Sequence, residues 1–151
     1  MWAQLRRFNS LPGAAKADFL RALLLLPLIR TSLRLRGFRK TQKSLQRYAA
    51  PGRAALSAAE ARADTEQACR MVLAASRRLG APANCLERSL ALWCLLARHG
   101  ITSHLRIGAR KSGEKFEAHA WIERNGEAVG EPEGAHLHYS AFEKEFSGEL
   151  S

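Results

Sequence analysis

The spacing of apolar residues changes at Gly100, and this change restricts the folds open to the chain. Before Gly100, apolar and small residues recur every three or four positions, which is the period of an amphipathic helix. After Gly100, apolar residues alternate with polar ones, as in a half-buried strand: Ile101, Leu105 and Ile107 against Thr102, His104 and Arg106. We therefore predict an α+β fold in which the helices come first and a small antiparallel sheet follows.

Capping residues mark the starts of two helices before Gly100. Ser57 and Glu60 form an S-x-x-E capping box, and the helix that follows is expected to end at Gly80. Asn84 is expected to cap the second helix, with a glutamate three residues later that can reach back to the cap. Because this second helix is apolar around most of its circumference, we expect it to be central and buried.

Turn signals divide the second half of the chain into three strands. A Ser-Gly pair at 112–113 separates the first strand from strand 116–123, on which His119 and Trp121 share one face. The Asn-Gly pair at 125–126 then leads to a third strand at 127–131. The three strands form an antiparallel meander in this interpretation.

The basic charge of the protein lies in its N-terminal third. Of the 24 Lys and Arg residues, twelve lie in residues 1–55 beside one acid, Asp18, so this segment carries a net charge of +11. The other 12 basic and 13 acidic residues leave the remainder at −1. We interpret 1–55 as a basic helical segment packed on the domain, and 56–151 as the core of the domain. The segment either meets an anionic partner or forms a solvated basic helix face.

An apolar run at residues 22–29 lies inside this basic segment. It is too short to span a bilayer, which needs ~20 apolar residues, so its leucines are expected to pack on the domain, with attachment to a membrane surface as a secondary alternative. Pro27 interrupts the run and predicts a kinked helix or two helices. Residues 49–56 contain a Pro-Gly pair and are predicted to be a connection.

The three cysteines have no pattern that indicates disulfides or a metal site. No secretory signal sequence is recognised, so we expect a cytoplasmic protein with reduced thiols. No CxxC or HExxH motif occurs, and we expect no bound metal or cofactor. Cys69 and Cys94 lie in apolar helix faces and are interpreted as core residues.

Cys85 falls in the first turn of the second capped helix, where a thiol can be activated. The unpaired N–H groups and the dipole at a helix N-terminus favour the thiolate, which is the nucleophilic form of cysteine. Residues 82–84 bring the chain in with a non-helical conformation, which would leave the Cys85 backbone N–H available to an oxyanion. Cys85 is therefore a candidate nucleophile of a small cysteine hydrolase, with a buried core cysteine as the alternative that the residues alone leave open.

Among the five histidines, His119 is the best candidate for the general base. It lies within a strand between two small alanines, so its imidazole has a fixed direction and room beside it for a helix. His104 lies on the neighbouring strand and His99 at a helix end. His136 and His138 lie in a turn-rich tail, where we expect them to be exposed. Trp121 is interpreted either as a core aromatic or as a shield between this pair and water.

The register of the hairpin at 125–126 decides which acid can orient His119. A three-residue loop with a bulge at Gly126 would place Glu131 opposite His119 on one face. A two-residue Asn125-Gly126 loop would place Pro132 there instead and turn Glu131 away. We predict the bulged register, and Glu131 as the orienting acid.

Three runs of the sequence carry a resemblance to a known family. They are residues 85–101, CLERSLALWCLLARHGI, residues 105–110, LRIGAR, and residues 116–131, FEAHAWIERNGEAVGE. In this order and at these separations they resemble the lasso-peptide B protein, the microcin-processing leader peptidase of the transglutaminase-like superfamily. The resemblance covers roughly residues 65–145, and the basic Leu-rich segment before it is similar to the N-terminal part of stand-alone members.

The resemblance implies a papain-like Cys, His, Asp arrangement that cuts the leader from a ribosomally made precursor. Cys85 and His119 match the nucleophile and base positions. The acid position, twelve residues after the histidine, holds Glu131 in place of the usual aspartate, with Glu133 and Glu123 as alternative acids.

The resemblance also implies partners. Residues 1–80 lack the β-rich pattern of the recognition domain found in fused members, so the chain resembles the split form. A separate small recognition protein would deliver the leader of the precursor, and an ATP-dependent, asparagine-synthetase-like cyclase would close the ring. ATP would then act only through the cyclase, and in the family the penultimate residue of the leader is commonly Thr.

Two other functions remain open on the sequence. A thioester intermediate can be captured by an amine as well as by water, which would make the protein an acyl transferase. The basic first third could also serve a nucleic-acid or membrane-surface binding module, although it contains no recognised binding motif and we expect no nucleic acid.

Overall fold

A computed structural model describes residues 11–49, 56–131 and 134–141, and the structural statements below concern these residues. Three helices precede a four-stranded sheet with the strand order β3-β2-β1-β4, and all three strand pairs are antiparallel. The predicted α+β fold is confirmed. The elements are α1 (Gly13–Tyr48), α2 (Ala58–Ser76), α3 (Cys85–Arg98), β1 (His104–Ser112), β2 (Lys115–Arg124), β3 (Glu127–Val129), a 3₁₀ turn (Ala135–His138) and β4 (Ser140–Ala141).

Helix α1 consists of two helical stretches that meet at Gly37, not at Pro27. The backbone is non-helical at Gly37 (φ 74°, ψ 176°) and stays helical through Pro27. A proline removes one helical hydrogen bond, whereas a left-handed residue turns the chain, and glycine adopts that conformation without a Cβ clash. The hydroxyls of Ser32 and Thr41 lie 2.8 Å apart across the break and tie the two stretches together.

No helix within the described ranges has a stretch long and apolar enough to cross a membrane. The predicted connection at 49–56 lies outside the described residues except for its two ends.

Both predicted capping boxes are present. The Ser57 hydroxyl accepts the Glu60 backbone N–H at 3.3 Å, and the Glu60 carboxylate accepts the Ser57 N–H at 2.9 Å. Helix α2 ends at Ser76 and not at the predicted Gly80. The Ser76 hydroxyl accepts the backbone N–H of Ala83 at 3.1 Å, which anchors the chain as it crosses to α3.

Helix α3 is the centre of the core, as its composition predicts. Its fully buried side chains include Leu90, Leu95 and Leu96. They share one apolar core with Leu26 and Ile29 of α1 and with Leu105 and Ile122 of the sheet. Each such side chain contributes roughly 1.5–3 kcal/mol by leaving water. This packing fixes the axis of α3, and therefore where its first residue lies relative to the sheet.

A buried polar cluster joins the three helices at the far end of α3. His99 Nε2 lies 2.9 Å from an Asp18 carboxylate oxygen, and His99 Nδ1 lies 3.4 Å from Asp64. The Asp18 side chain is completely buried, and Gln67 and Arg21 also contact it, each at 3.4 Å. The histidine at the helix end is thus a structural link between α1, α2 and α3.

The hairpin between β2 and β3 has the two-residue loop, so the predicted bulged register is wrong. Arg124 pairs with Glu127, and Ile122 with Val129. Asn125 (φ 51°) and Gly126 (φ 80°) are both left-handed, as a two-residue type I′ turn requires. Asparagine tolerates that conformation better than most residues, and this allows the tighter loop.

Candidate active site

Cys85 is the first residue of α3 and is half-buried. The Asn84 side chain caps the helix by accepting the Glu87 backbone N–H at 2.9 Å, and the Asn84 N–H donates to the Glu87 carboxylate at 3.1 Å. The first N–H groups of a helix have no helical acceptor. The thiol therefore lies beside backbone donors and the positive end of the helix dipole.

The other two thiols lie in surroundings that keep them protonated. Burial raises the pKa of Cys94 to about 12 and that of Cys69 to about 11. Cys94 has no exposed surface, and Cys69 packs against the core from a half-buried position. Both agree with the interpretation as core residues, since a protonated thiol is a poor nucleophile.

His119 on β2 forms a hydrogen bond with Glu131. His119 Nε2 lies 2.8 Å from Glu131 Oε2, and the exposed fractions of the two side chains are 15% and 14%. With Nε2 facing the carboxylate, Nδ1 is the ring nitrogen left for a proton from a substrate or a thiol. A carboxylate behind an imidazole fixes its orientation and stabilises its protonated form.

The contact between His119 and Glu131 forms although the register was predicted wrongly. In the observed register a regular continuation of β3 would pair Glu131 with Ala120 and point it away from His119. Strand β3 ends instead at Val129, and Gly130 adopts a left-handed conformation (φ 77°) that interrupts the alternation of the strand. The Glu131 carboxylate then returns to the face that carries His119.

Gly130 has a second reason to lack a side chain. A Cβ at this position would lie 3.2 Å from both Cys69 Sγ and Leu92 Cδ2. The chain therefore passes tightly between α2 and α3 immediately before Glu131. No motif in the sequence distinguishes this glycine, because its role depends on packing between elements that are far apart in the chain.

The alternative acids take no part in this contact. Glu123 pairs with Arg106 across the β1–β2 ladder at 3.2 Å. Glu133 lies outside the described residues. Glu131 is the acid that meets His119.

Aromatic rings enclose His119 on the sheet surface. Its ring centroid lies 6.0 Å from that of Trp121, with the planes nearly parallel, and 5.0 Å from that of Tyr139. Trp121 is buried, and a Cβ on Gly108 of β1 would come within 3.0 Å of its ring. The glycine thus lets the indole lie flat against the sheet and shield one side of the imidazole from water.

The remaining histidines lie elsewhere. His138 is exposed, as predicted, whereas the predicted exposure of His136 is wrong: it is half-buried, with its ring 6.0 Å from that of Trp121. His104 lies at the start of β1. Within the described part of the chain, no three His, Cys, Asp or Glu side chains group in a way that could hold a metal ion.

A hydrogen bond sets the distance between α3 and the strand of His119. The Ser89 hydroxyl donates to the Ala120 carbonyl at 2.9 Å. Ser89 lies four residues after Cys85, on the same side of the helix and one turn further in. The side of α3 that carries Cys85 and Ser89 therefore faces β2. Among the described residues, Glu131 hydrogen-bonds to His119, whereas the Cys85 thiol does not.

An open groove lies between α2 and the β2–β3 hairpin. Its volume is about 560 Å³, and charged side chains, Arg62, Glu66, Arg70, Arg124 and Glu127, line it. A smaller recess of about 40 Å³ shares the floor of the groove at Cys69, Val129 and Gly130 and reaches Ser89 and Glu131. The recess thus reaches the Glu131 side chain, whereas neither Cys85 nor His119 lines the groove or the recess.

Comparison with known families agrees with this architecture. A family model described as the transglutaminase-like superfamily matches residues 25–143, which is well over half of the chain and contains Cys85, His119 and Glu131. No curated protein and no solved structure gives a significant match. On the extent of the family match, the chain belongs to the transglutaminase-like superfamily.

Proposed function

We propose that this protein is a cysteine peptidase that removes the leader peptide from a ribosomally made lasso-peptide precursor. The observation that carries the proposal is the 2.8 Å contact between His119 and Glu131 on the strand next to the helix that begins with Cys85. The superfamily includes cysteine peptidases and acyl transferases, and the three sequence runs described above favour the leader peptidase among them.

The reaction that we propose has two stages. His119 accepts the thiol proton, and the Cys85 sulfur attacks the carbonyl carbon that joins leader and core peptide. The N–H groups at the start of α3 stabilise the oxyanion. The tetrahedral intermediate collapses, the C–N bond breaks, and His119 returns the proton to the leaving amine of the core peptide. Water, deprotonated by His119, then attacks the thioester and releases the leader as a carboxylic acid with the thiol restored.

Glu131 orients the imidazole in this scheme. Its side chain is one methylene longer than the aspartate that the resemblance implies, and after the turn at Gly130 the longer side chain reaches His119 Nε2 at 2.8 Å. Because Glu131 meets Nε2, the proton transfers run through Nδ1.

The leader would enter along the groove between α2 and the β2–β3 hairpin. We further propose that a separate recognition protein delivers it and that an asparagine-synthetase-like cyclase consumes the freed core peptide, with ATP used by the cyclase alone. In this view the peptidase itself works in the cytoplasm and needs no metal or cofactor.

Variants of the three site residues test the proposal. The protein is mixed with the products of its neighbouring genes, and mass spectrometry is used to find a shortened precursor. Cys85→Ala and His119→Ala should each abolish cleavage, while Glu131→Gln should slow it by about 10²-fold or more, as expected when the group that orients a catalytic imidazole loses its charge. Cys94→Ala and His138→Ala are the matched controls and should cleave like the wild type. Equal activity in all five variants would reject the site.

An acyl transferase is the second candidate, because the same thioester serves both reactions. It predicts that a primary amine supplied with the precursor appears in the product as an amide of the leader. Only the free acid should form if the protein is a peptidase.

A basic surface on α1 favours the third candidate, a module that binds nucleic acid or a membrane surface. Nine Lys and Arg residues lie on α1, and a row of leucines on it is exposed: Leu20, Leu24, Leu28 and Leu35. Retention on nucleic acid or anionic vesicles that falls steeply with salt, in a protein without any cleavage activity, would support this function over the peptidase.

A further inference from the structure

Arg30 on α1 contacts the segment that leads into Cys85. Its guanidinium donates Nε to both carboxylate oxygens of Glu87, at 3.0 and 3.2 Å, and Nη2 to one of them at 2.9 Å. The same Nη2 also reaches two backbone carbonyls, of Ala81 at 3.1 Å and of Pro82 at 2.9 Å. One side chain from α1 thus holds both the approach to α3 and its first turn.

Glu87 is the part of this contact nearest to the nucleophile. It lies two residues after Cys85, is only 5% exposed, and completes the capping box of Asn84. Burial alone would raise the pKa of Glu87, but the hydrogen bonds from Arg30 and from the Asn84 backbone outweigh it, and the pKa lies below the ordinary value. The first turn of α3 therefore contains a buried carboxylate whose charge Arg30 compensates.

Without a counterion, that carboxylate would oppose the chemistry of the site. A negative charge within one helical turn disfavours the thiolate of Cys85, because like charges at short range raise the cost of ionisation. It would also weaken the positive end of the helix dipole. The positive charge of Arg30 offsets both effects of the Glu87 carboxylate. Its contacts to the two carbonyls hold the backbone just before Asn84.

We propose that Arg30 is a positioning residue for Cys85, holding the start of α3 in place and neutralising Glu87 so that the thiolate can form. This inference rests on the proposed role of Cys85 as the nucleophile. It extends that role to a residue of the N-terminal basic segment, far from the cysteine in the sequence.

Alkylation of the Cys85 thiol tests this without any substrate. The rate of iodoacetamide modification is followed between pH 5 and pH 10 by peptide mass spectrometry, in the full chain. In Arg30→Met the Cys85 profile should move to higher pH by about one unit, so the rate at neutral pH falls about tenfold. Arg30→Lys keeps a cation but not the forked contacts, and its profile should lie between the two.

A double-mutant cycle separates positioning from simple loss of structure. In a Glu87→Gln background the cap acceptor remains but the charge is gone, so Arg30→Met should lower the rate less than it does beside Glu87, and the remaining loss reports the missing contacts to Ala81 and Pro82. Arg39→Met, an exposed arginine on the same helix, is the matched control and should leave the profile unchanged. Helix content by circular dichroism is measured for each variant.

The outcomes decide between the two proposals. A wild-type profile in folded Arg30→Met overturns the positioning role; if that variant does not fold, a wild-type profile in Arg30→Lys overturns it. A shifted profile in a protein that cleaves no precursor keeps Arg30 as a positioning residue and rejects the peptidase. A Cys85 that reacts in the wild type no faster than Cys94 overturns both.

Discussion

At the scale of single residues, Gly130 shows how one backbone conformation completes a site. The two-residue hairpin would turn Glu131 away from His119, and the left-handed glycine before it brings the carboxylate back. Asn-Gly fits both a two-residue turn and a bulged loop, so the sequence does not decide the register. The predicted register was wrong, yet Glu131 contacts His119, because packing against α2 and α3 determines a compensating turn at Gly130.

Gly130→Ala should therefore damage both stability and activity. A left-handed alanine costs roughly 1–2 kcal/mol, and its Cβ would lie 3.2 Å from Cys69 Sγ and Leu92 Cδ2. Urea denaturation should show a loss of about 2 kcal/mol or more, and cleavage should fall further than the unfolded fraction explains, because Glu131 shifts from His119.

Gly126→Ala is the matched control for this substitution. Gly126 also has a positive φ (80°), but nothing lies within 4 Å of a Cβ there. It should lose stability through the backbone alone and keep the cleavage rate of its folded fraction. Full activity of Gly130→Ala would mean that Glu131 does not need this turn.

At the scale of elements, the start of α3 was predicted almost completely. The capping box of Asn84 and Glu87 is a local pattern, and local hydrogen bonds between residues three apart can be read from sequence. The partner of Glu87 could not be predicted, since Arg30 lies 57 positions away and nothing distinguishes it from the other arginines of α1. Helix α2 ends before the predicted Gly80, and the contact of Ser76 with Ala83 beyond the helix could not be predicted from the sequence either.

The contact of Glu87 predicts how stability depends on pH. Its pKa is lowered on folding from an ordinary value of 4.5, because Arg30 and the cap outweigh the effect of burial. The carboxylate thus adds stability that is fully present above pH 4.5 and is lost as the pH falls through the lower pKa of the folded state.

Glu87→Gln tests this pH dependence. Urea denaturation should find wild type the more stable protein at pH 7, with the difference shrinking steadily below pH 4.5. Glu114→Gln, in the exposed turn between β1 and β2, should differ from wild type by a small amount at every pH. If the gap between wild type and Glu87→Gln widened in acid, Arg30 and the cap could not be what lowers the pKa of this carboxylate.

At the scale of the whole molecule, the three helices are joined by polar contacts that no periodicity indicates. Hydrophobic spacing predicted helices, a sheet and a buried α3, because burial follows from composition along each element. It did not predict that Asp18, the one acid of the basic third, is completely buried against His99. Such a pairing depends on three elements meeting, which the spacing within each one does not specify.

Asp18→Asn should accordingly be strongly destabilising. Breaking a buried charged contact while its partners remain typically costs about 3–5 kcal/mol, and Asp18 meets His99, Gln67 and Arg21. Urea denaturation should show a loss of this order. Asp64→Asn, on the more exposed side of the same histidine, should lower the free energy of unfolding by less. Equally small losses in both variants would show that this cluster does not stabilise the fold.

The guanidinium of Arg30 also bears on where this protein could be divided. A cut that removed α1 would leave Glu87 buried without its counterion, and the carbonyls of Ala81 and Pro82 without the Arg30 donor. Helix α1 therefore takes part in the contacts that hold the start of α3. A partner that bound the exposed leucines of α1 would therefore bind the same helix that holds the first turn of α3 through Arg30.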